Sequence, residues 1–186
     1  MRYKNVEIYQ TPDEIKGLRQ ELQKIKEVEG DIAEVGVYEG ATAQIIREES
    51  DKTLYLFDTF CGLPDQLHES DSFRYEVGHC AASKDHVENI MKNERNVYIT
   101  EGVFPETSGI IKDKKFAFVH LDVDIYYATK NGLEFFWDKI SPGGAILIHD
   151  YPAHIGVKKA VDDFLADKIQ KVELLGVGGR QGVIRM

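Results

Sequence analysis

The stretch Asp31-Ile-Ala-Glu-Val-Gly-Val-Tyr-Glu-Gly-Ala-Thr-Ala43 decides the fold. An apolar run breaks into glycines and then into helix-forming residues, the pattern of a strand handing over to a nucleotide-binding turn. Gly36 and Gly40 carry no Cβ and take positive φ at little cost, so the backbone is expected to pass close to a ligand there. The helix that opens near Ala41 then points its unpaired N–H groups at that ligand. The next apolar run, Thr53-Leu-Tyr-Leu-Phe-Asp58, ends in an acid 22 positions after Gly36. An acid at that distance can hydrogen-bond ribose hydroxyls.

Read alone, the two glycines also fit a tight strand-to-helix turn with no ligand at all. Joined to Asp58 in a regular β/α series, they point to an adenosine-containing cofactor. The spacing is Gly-x-x-x-Gly, not the Gly-x-Gly-x-x-Gly of nicotinamide and flavin sites, which disfavours a dinucleotide. S-adenosylmethionine has no pyrophosphate and needs no such cradle.

Working outward, apolar runs of strand character fall at 31–37, 53–58, 96–100, 116–121 and 144–149. Helical spacing or composition marks 42–49, 84–92, 129–139 and 155–166. This alternation predicts a parallel sheet with helices on both faces. Residues 171–186 read instead as two strands around a Gly-rich turn, a terminal hairpin. Residues 1–30 read as an N-terminal helical segment: Thr11 is the N-cap, Pro12 the first helical position, Glu14 the capping-box acid, and the helix runs to about Val28. Its face of Ile15, Leu18, Leu22 and Ile25 should pack on the sheet. Residues 59–82 form a long loop, and long loops in compact domains are often active-site lids or plain surface excursions.

With 186 residues and 42% hydrophobic content, the chain supplies one substantial core, so a single domain over 1–186 is expected. No apolar run reaches the roughly 18 residues of a membrane span, and the first residues lack the apolar stretch of a signal peptide. A soluble cytoplasmic protein without a membrane partner follows. Cys61 and Cys80 are expected as free thiols. The net charge of −9 argues against a nucleic-acid partner and leaves a small molecule as the substrate class. Lys112, Lys114 and Lys115 mark a solvated turn before a strand.

The most chemical region is Phe116-Ala-Phe-Val-His-Leu-Asp-Val-Asp-Ile-Tyr-Tyr-Ala-Thr129, where a strand ends in Asp122 and Asp124. In an extended chain these acids face the same side. The next strand ends in His149 and Asp150. Ligands of open α/β sheets bind beyond the carboxyl ends of the strands, so all four side chains should gather at one rim with Asp58. Such a rim can hold a hard cation such as Mg²⁺. Its acids equally suit helix capping and loop amides. His149 favours a softer metal, or none, and with an ordinary pKa near ~6.5 it is also a candidate general base. His120 lies inside a strand and is expected as a hydrogen-bonded core residue. His68, His79 and His86 lack metal-ligand spacing, and His154 is expected in a loop role. The run Phe135-Phe136-Trp137 should pack on the sheet.

At this point the chain resembles the macrocin-type O-methyltransferases, the sugar-modifying family of macrolide and aminocoumarin pathways. The resemblance spans about 34–164. It rests on Glu34-Val-Gly-Val-Tyr-Glu-Gly, Leu56-Phe-Asp-Thr-Phe-Cys-Gly-Leu-Pro64, Leu121-Asp-Val-Asp-Ile-Tyr, Ser141-Pro-Gly-Gly, and Ile148-His-Asp-Tyr151 followed by Gly156-Val-Lys-Lys-Ala-Val-Asp-Asp-Phe164. It implies a class I S-adenosylmethionine-dependent methyltransferase fold. That is a Rossmann-like three-layer α/β sandwich with a mostly parallel seven-stranded sheet and a C-terminal antiparallel hairpin. It also implies S-adenosylmethionine as donor, a hydroxyl acceptor, and usually Mg²⁺.

Carried over by position, the resemblance assigns cofactor contacts to Glu34, Gly36, Tyr38, Gly40, Thr42, Asp58, Thr59, Phe60, Glu101, Gly102 and Asp122. Asp58 would hold the ribose, and Glu101-Gly102 would lie near the adenine. Asp122 and Asp150 match metal positions, with His149 between them in the metal set, and Asp124 matches a general base. Where relatives carry two adjacent acids this chain has His149-Asp150, so an imidazole replaces one hard oxygen ligand and metal dependence stays open. Relatives also carry more residues at the N-terminus, which help close the site and in some join subunits, so a homodimer is compatible with the resemblance. A more open acceptor pocket is expected here, covered by the 59–82 loop, with Phe60, Leu63 and Phe73 as candidate contacts. Two other readings stay beside it: a metal-independent methyltransferase acting on another acceptor, and a cofactor-binding protein without catalysis.

Overall fold

The computed structural model describes residues 2–65, 67–71, 76–176 and 179–186. The chain opens with a short antiparallel hairpin, β1 (Arg2–Tyr3) and β2 (Val6–Glu7), which the sequence pattern did not reveal. Helix α1 (Pro12–Lys24) starts as its capping box dictates. The Thr11 N–H donates to Glu14 Oε2 at 2.7 Å, and the Glu14 N–H donates to Thr11 Oγ1 at 3.3 Å. The helix ends at Lys24, short of the expected Val28. Ile25 leaves helical geometry while its side chain stays buried, and Val28 N–H turns back to the Ile25 carbonyl at 3.0 Å.

The β/α series follows: β3 (Asp31–Val35), α2 (Ala41–Glu49), β4 (Leu54–Asp58), α3 (Lys84–Met91), β5 (Val97–Glu101), β6 (Phe116–Leu121), α4 (Tyr126–Phe136), β7 (Ile140–His149) and α5 (Ile155–Leu165). The chain closes with β8 (Glu173–Leu175) and β9 (Gln181–Arg185). Two starts differ from expectation. β7 begins at Ile140 rather than 144, because Ile140 pairs with Phe116 and Ala145 with Phe118, so Pro142-Gly143-Gly144 is absorbed as an irregularity in the ladder. α4 begins at Tyr126 rather than 129. Its cap is not local: Asp71 Oδ1, 55 residues away, accepts from the Tyr126 N–H at 2.9 Å.

The seven-stranded sheet has the order β5-β4-β3-β6-β7-β9-β8. The first five strands in that order are parallel, and β9 runs antiparallel between β7 and β8, so the expected terminal hairpin is present. Two separate cores show helices on both faces. One joins α1, α2 and α3 (Leu18, Leu22, Ile45, Ile46, Val87) to Ile32, Leu56 and Leu147. The other joins α4 and α5 (Leu133, Phe136, Val157, Val161) to Val35, Phe57, Val119 and Ile148. Phe136 is fully buried with Phe135 and Trp137 packed beside it, as expected of the aromatic run. The order in which strands are added reverses between β3 and β6, which opens a crevice at their carboxyl ends. Among the described residues no helix is long and apolar enough to cross a membrane.

The N-terminal hairpin is latched to α2 by charge. Glu48 pairs with Lys4 and Tyr3, and Arg19 Nη2 lies 2.8 Å from Glu48 Oε2. Burial favours the neutral acid, but the Lys4, Tyr3 and Arg19 contacts outweigh it and hold the Glu48 carboxyl at about 2, against an ordinary 4.5. A depressed acid stabilises the fold above its unfolded pKa and loses that contribution as pH falls toward its folded one. Glu48→Gln should therefore lower stability at pH 7 by about 1 kcal/mol, a value kept small because these charges are partly solvated. Melting curves of variant and wild type should converge as pH falls from about 4.5 to about 2.

Candidate active site

The turns after β3, β4, β6 and β7 meet at the crevice and enclose a cavity of about 430 Å³, a size suited to a nucleoside-sized ligand. The turn after β3 is set by two left-handed glycines, Gly36 at φ +87° and Gly40 at φ +82°. The reason for Gly36 differs from the one expected. A Cβ there would lie 1.8 Å from the Asp122 carbonyl oxygen, so the missing side chain admits the neighbouring strand end rather than a ligand. At Gly40 a Cβ would meet Ile90 and Val87 of α3. Gly36→Ala should cost roughly 2–4 kcal/mol of stability through this clash and the strained φ, readable as a lowered denaturant midpoint.

Asp58 holds this turn. Its Oδ2 accepts from the Val37 and Tyr38 N–H groups at 2.6 and 2.8 Å, and its Oδ1 accepts from the Phe60 N–H at 2.7 Å. A carboxylate has about four acceptor positions. Three are used, which leaves room for one further hydroxyl from the cavity.

Of the residues assigned from sequence, Gly36, Tyr38, Thr42, Asp58, Thr59, Gly102, Asp122, Asp124, His149 and Asp150 line the cavity. Four do not. Glu34 lies two residues inside β3, fully buried, with Oε1 2.9 Å from His120 Nδ1. It is a core pair, and burial, partly offset by His120, raises its pKa. His120 is thereby the core residue expected. Gly40 packs on α3, Phe60 is buried in the core with α1–α3, and Glu101 turns outward, leaving its neighbour Gly102 at the wall.

The 59–82 loop contains no helix or strand among its described residues. It folds back on itself through Leu63 N–H to the His79 carbonyl and Gly78 N–H to the Leu63 carbonyl, both 2.9 Å. Leu63, Pro64, His79 and Cys80 line the cavity. Phe73 lies outside the described residues. His68 stacks on Tyr126 at 3.9 Å, and Cys61 and Cys80 are free thiols.

The acids gather as the sheet rule requires, but Asp122 and Asp124 meet by a different route than the pleat. β6 stops at Leu121, and Asp124 takes φ +61°, so the chain turns between them. Asp150 at φ +60° is equally left-handed, a strain of a kind that clusters at functional sites. His149 Nδ1 sits 3.0 Å from Asp122 Oδ1 and 3.1 Å from Asp150 Oδ2, and its Nε2 is 3.8 Å from Glu14 Oε1. Among the described residues neither ring nitrogen has an aligned hydrogen-bond acceptor, so the attraction is ionic. Burial opposes a charged ring here, but Asp122, Asp150 and Glu14 outweigh it and raise the His149 pKa well above 6.5. These acids favour the charged form of the ring.

Asp124 and Asp150 are pushed apart. Burial first, then the charges of Asp122 and Asp150, raise Asp124 well above 3.8. Burial would also raise Asp150, but His149 and His154 override it and hold it low. Buried Glu14 is likewise lowered to about 2, since contacts with His149 and Thr11 exceed its burial cost.

Four contributors escaped the sequence reading. The Gln10 Nε2–H donates to Asp122 Oδ2. Glu14 caps α1 with Oε2 and faces His149 with Oε1. His154, expected in a loop role, reaches the rim with Nδ1 3.3 Å from Asp150 Oδ2 and 3.8 Å from Asp124 Oδ1. Arg180 donates to Asp150 Oδ1 from the far end of the chain. Gln10 and Glu14 come from the N-terminal segment, His154 lies four residues after Asp150, and the pairing of β9 beside β7 brings Arg180 to them.

Among the described residues two overlapping ligand sets result, Asp122–His149–Asp150 and Asp124–Asp150–His154, each with donor atoms within 4.8 Å of one another. A cation in the first set would take the place of the ring proton on the His149 nitrogen that faces Asp122 and Asp150. One imidazole and two carboxylates suit Mn²⁺, Fe²⁺ or Zn²⁺ better than Mg²⁺.

Residues 13–179 match the model of the macrocin-O-methyltransferase (TylF) family. Demethyldecarbamoylnovobiocin O-methyltransferase of Streptomyces niveus is 26% identical over 177 residues, covering 81% of this chain and 65% of its own. Mycinamicin III 3''-O-methyltransferase of Micromonospora griseorubida is 25% identical over 179 residues, covering 83% and 69%. The chain thus spans about two thirds of the length of these curated relatives. The structure of the O-methyltransferase NovP superposes with a TM-score of 0.82 at 22% identity, covering 93% of this chain and 79% of that one. An O-methyltransferase from Bacillus cereus in complex with SAH superposes at 0.66 and 14% identity, covering 98% and 85%. These likenesses establish the class I methyltransferase fold expected from the sequence.

Proposed function

The chain belongs to the macrocin-O-methyltransferase (TylF) family, and from that premise we propose that it transfers the methyl group of S-adenosylmethionine to a hydroxyl of a small molecule, a sugar or other natural-product moiety. One observation carries this reading: a single cavity joins the Asp58-anchored glycine turn to the Asp124–Asp150 rim. Asp58 offers its remaining acceptor position to a ribose hydroxyl. Gly36, Tyr38 and Thr42 border the methionine portion, and Gly102 the adenine.

The acceptor oxygen attacks the sulfonium methyl carbon in line. The C–S bond breaks, its electron pair neutralises the sulfur, and the hydroxyl proton passes to the Asp124 carboxylate. Asp124 suits that role because its surroundings favour the protonated form, while Asp150 stays ionised beside it. Most of the acceleration comes from holding oxygen, carbon and sulfur in line. Asp122, His149 and Asp150 are the residues that would hold a divalent cation. When bound, such an ion lowers the pKa of a hydroxyl and steadies the alkoxide. A metal-free reaction is the second reading, favoured by the Arg180 contact that already neutralises Asp150.

The test is methyl transfer from isotopically labelled S-adenosylmethionine to a panel of glycosides and phenols, with amine analogues alongside. Labelled methyl ethers are expected. Binding of S-adenosylhomocysteine with no label in any hydroxyl acceptor would favour a protein that binds the cofactor without this chemistry.

A further inference from the structure

We propose that Arg180 is a resident cation of the acidic rim, which competes with a divalent metal ion for Asp150. The inference rests on the reading of Asp122, His149 and Asp150 as a cation site. Asp150 is the shared member of both ligand sets. Its Oδ2 faces His149 and His154, at 3.1 and 3.3 Å. Its Oδ1 takes the hydrogen bond from Arg180 Nη2, and the same nitrogen lies 3.2 Å from His154 Nε2. The guanidinium therefore engages two of the three members of the Asp124–Asp150–His154 set.

The side chain is 43% exposed, but its inner atoms are built into the site. Arg180 is the one lysine or arginine among the described residues lining the cavity. Its Nε is buried without a hydrogen-bond partner among the described residues, and its Asp150 partner is almost wholly buried. A guanidinium cannot give up its charge at any working pH. A metal in the second set must displace it. A metal in the first set must share Asp150 with it and sit close to a fixed positive charge, a repulsion that is weakly screened in a partly dry cleft. The chain can thus neutralise its rim with its own cation, and metal occupancy becomes a contest set by Arg180.

The experiment is calorimetric titration of the full chain with Mn²⁺ alone, for the wild type, Arg180→Gln, Arg180→Lys, and the double variant Arg180→Gln/Asp150→Asn. Circular dichroism and a melting curve show that each is folded. We expect Arg180→Gln to bind Mn²⁺ about tenfold or more tightly than the wild type, as removal of a unit charge a few ångströms from the ion predicts. Arg180→Lys, which keeps the charge, should stay near the wild type, and the double variant should lose the gain. Equal affinity in wild type and Arg180→Gln, within twofold and lost in the double variant, would overturn the competition while leaving the cation site intact. No Mn²⁺ binding to any variant would overturn both.

Discussion

Asp58→Ala is expected to weaken S-adenosylhomocysteine binding about 100-fold, roughly 2.7 kcal/mol, when wild type and variant are titrated by calorimetry. Two losses combine. The ribose loses a charged acceptor, and hydrogen bonds to charged groups contribute about 1.5–3 kcal/mol each. The glycine turn also loses its anchor, because the Val37, Tyr38 and Phe60 N–H groups all donate to this one carboxylate. With the anchor gone, the turn must be ordered at the ligand's expense. Asp58→Asn should fall between the two, since the amide oxygen can still accept from one side of the turn while its NH₂ faces a donor on the other. Unchanged affinity in Asp58→Ala would place the nucleoside elsewhere.

Asp124→Asn should reduce kcat for methyl transfer by about 10²–10⁴-fold, the range for loss of a positioned general base, while S-adenosylhomocysteine affinity stays within about threefold. The substitution is clean in structural terms. Asparagine tolerates the left-handed backbone that Asp124 adopts at φ +61°. It also removes a carboxylate crowded by Asp122 and Asp150, so the melting temperature should hold or rise. Rapid-quench measurement of a single turnover separates the chemical step from product release. A single-turnover rate equal to that of the wild type would remove Asp124 from proton transfer.

The framework was legible because its signals are local and periodic. Val35-Gly36 and Asp58 mark strand ends, and the predicted strands hold to within a residue or two except at β7, where Pro142-Gly143-Gly144 imitates a turn yet sits in the ladder. The capping box at Thr11 fixed the start of α1, but its end depended on where Ile25 could be buried. Side-chain direction was the harder matter. Glu34 and Glu101 stand next to the site in sequence, yet one sits in a sheet-interior pair with His120 and the other turns to solvent. Phe60, at φ +55°, turns into the core while its loop passes over the cavity.

The rim shows the same division. Asp122, Asp124, His149 and Asp150 follow from the rule that strand ends carry the site. Their electrostatics do not, because those depend on groups from distant elements. Gln10 and Glu14 arrive from the N-terminal segment, His154 from the cap of α5, and Arg180 from the turn before β9. His149 read in isolation is a base near neutrality. Enclosed by Asp122, Asp150 and Glu14, its charged form is favoured.

The most direct test of the account is a crystal structure with S-adenosylhomocysteine bound. It should show a ribose hydroxyl on the Asp58 carboxylate, the adenine beside Gly102, and the sulfur facing the side of the cavity where Asp124 stands. A ligand whose sulfur points away from Asp124, or whose ribose makes no contact with Asp58, would contradict it.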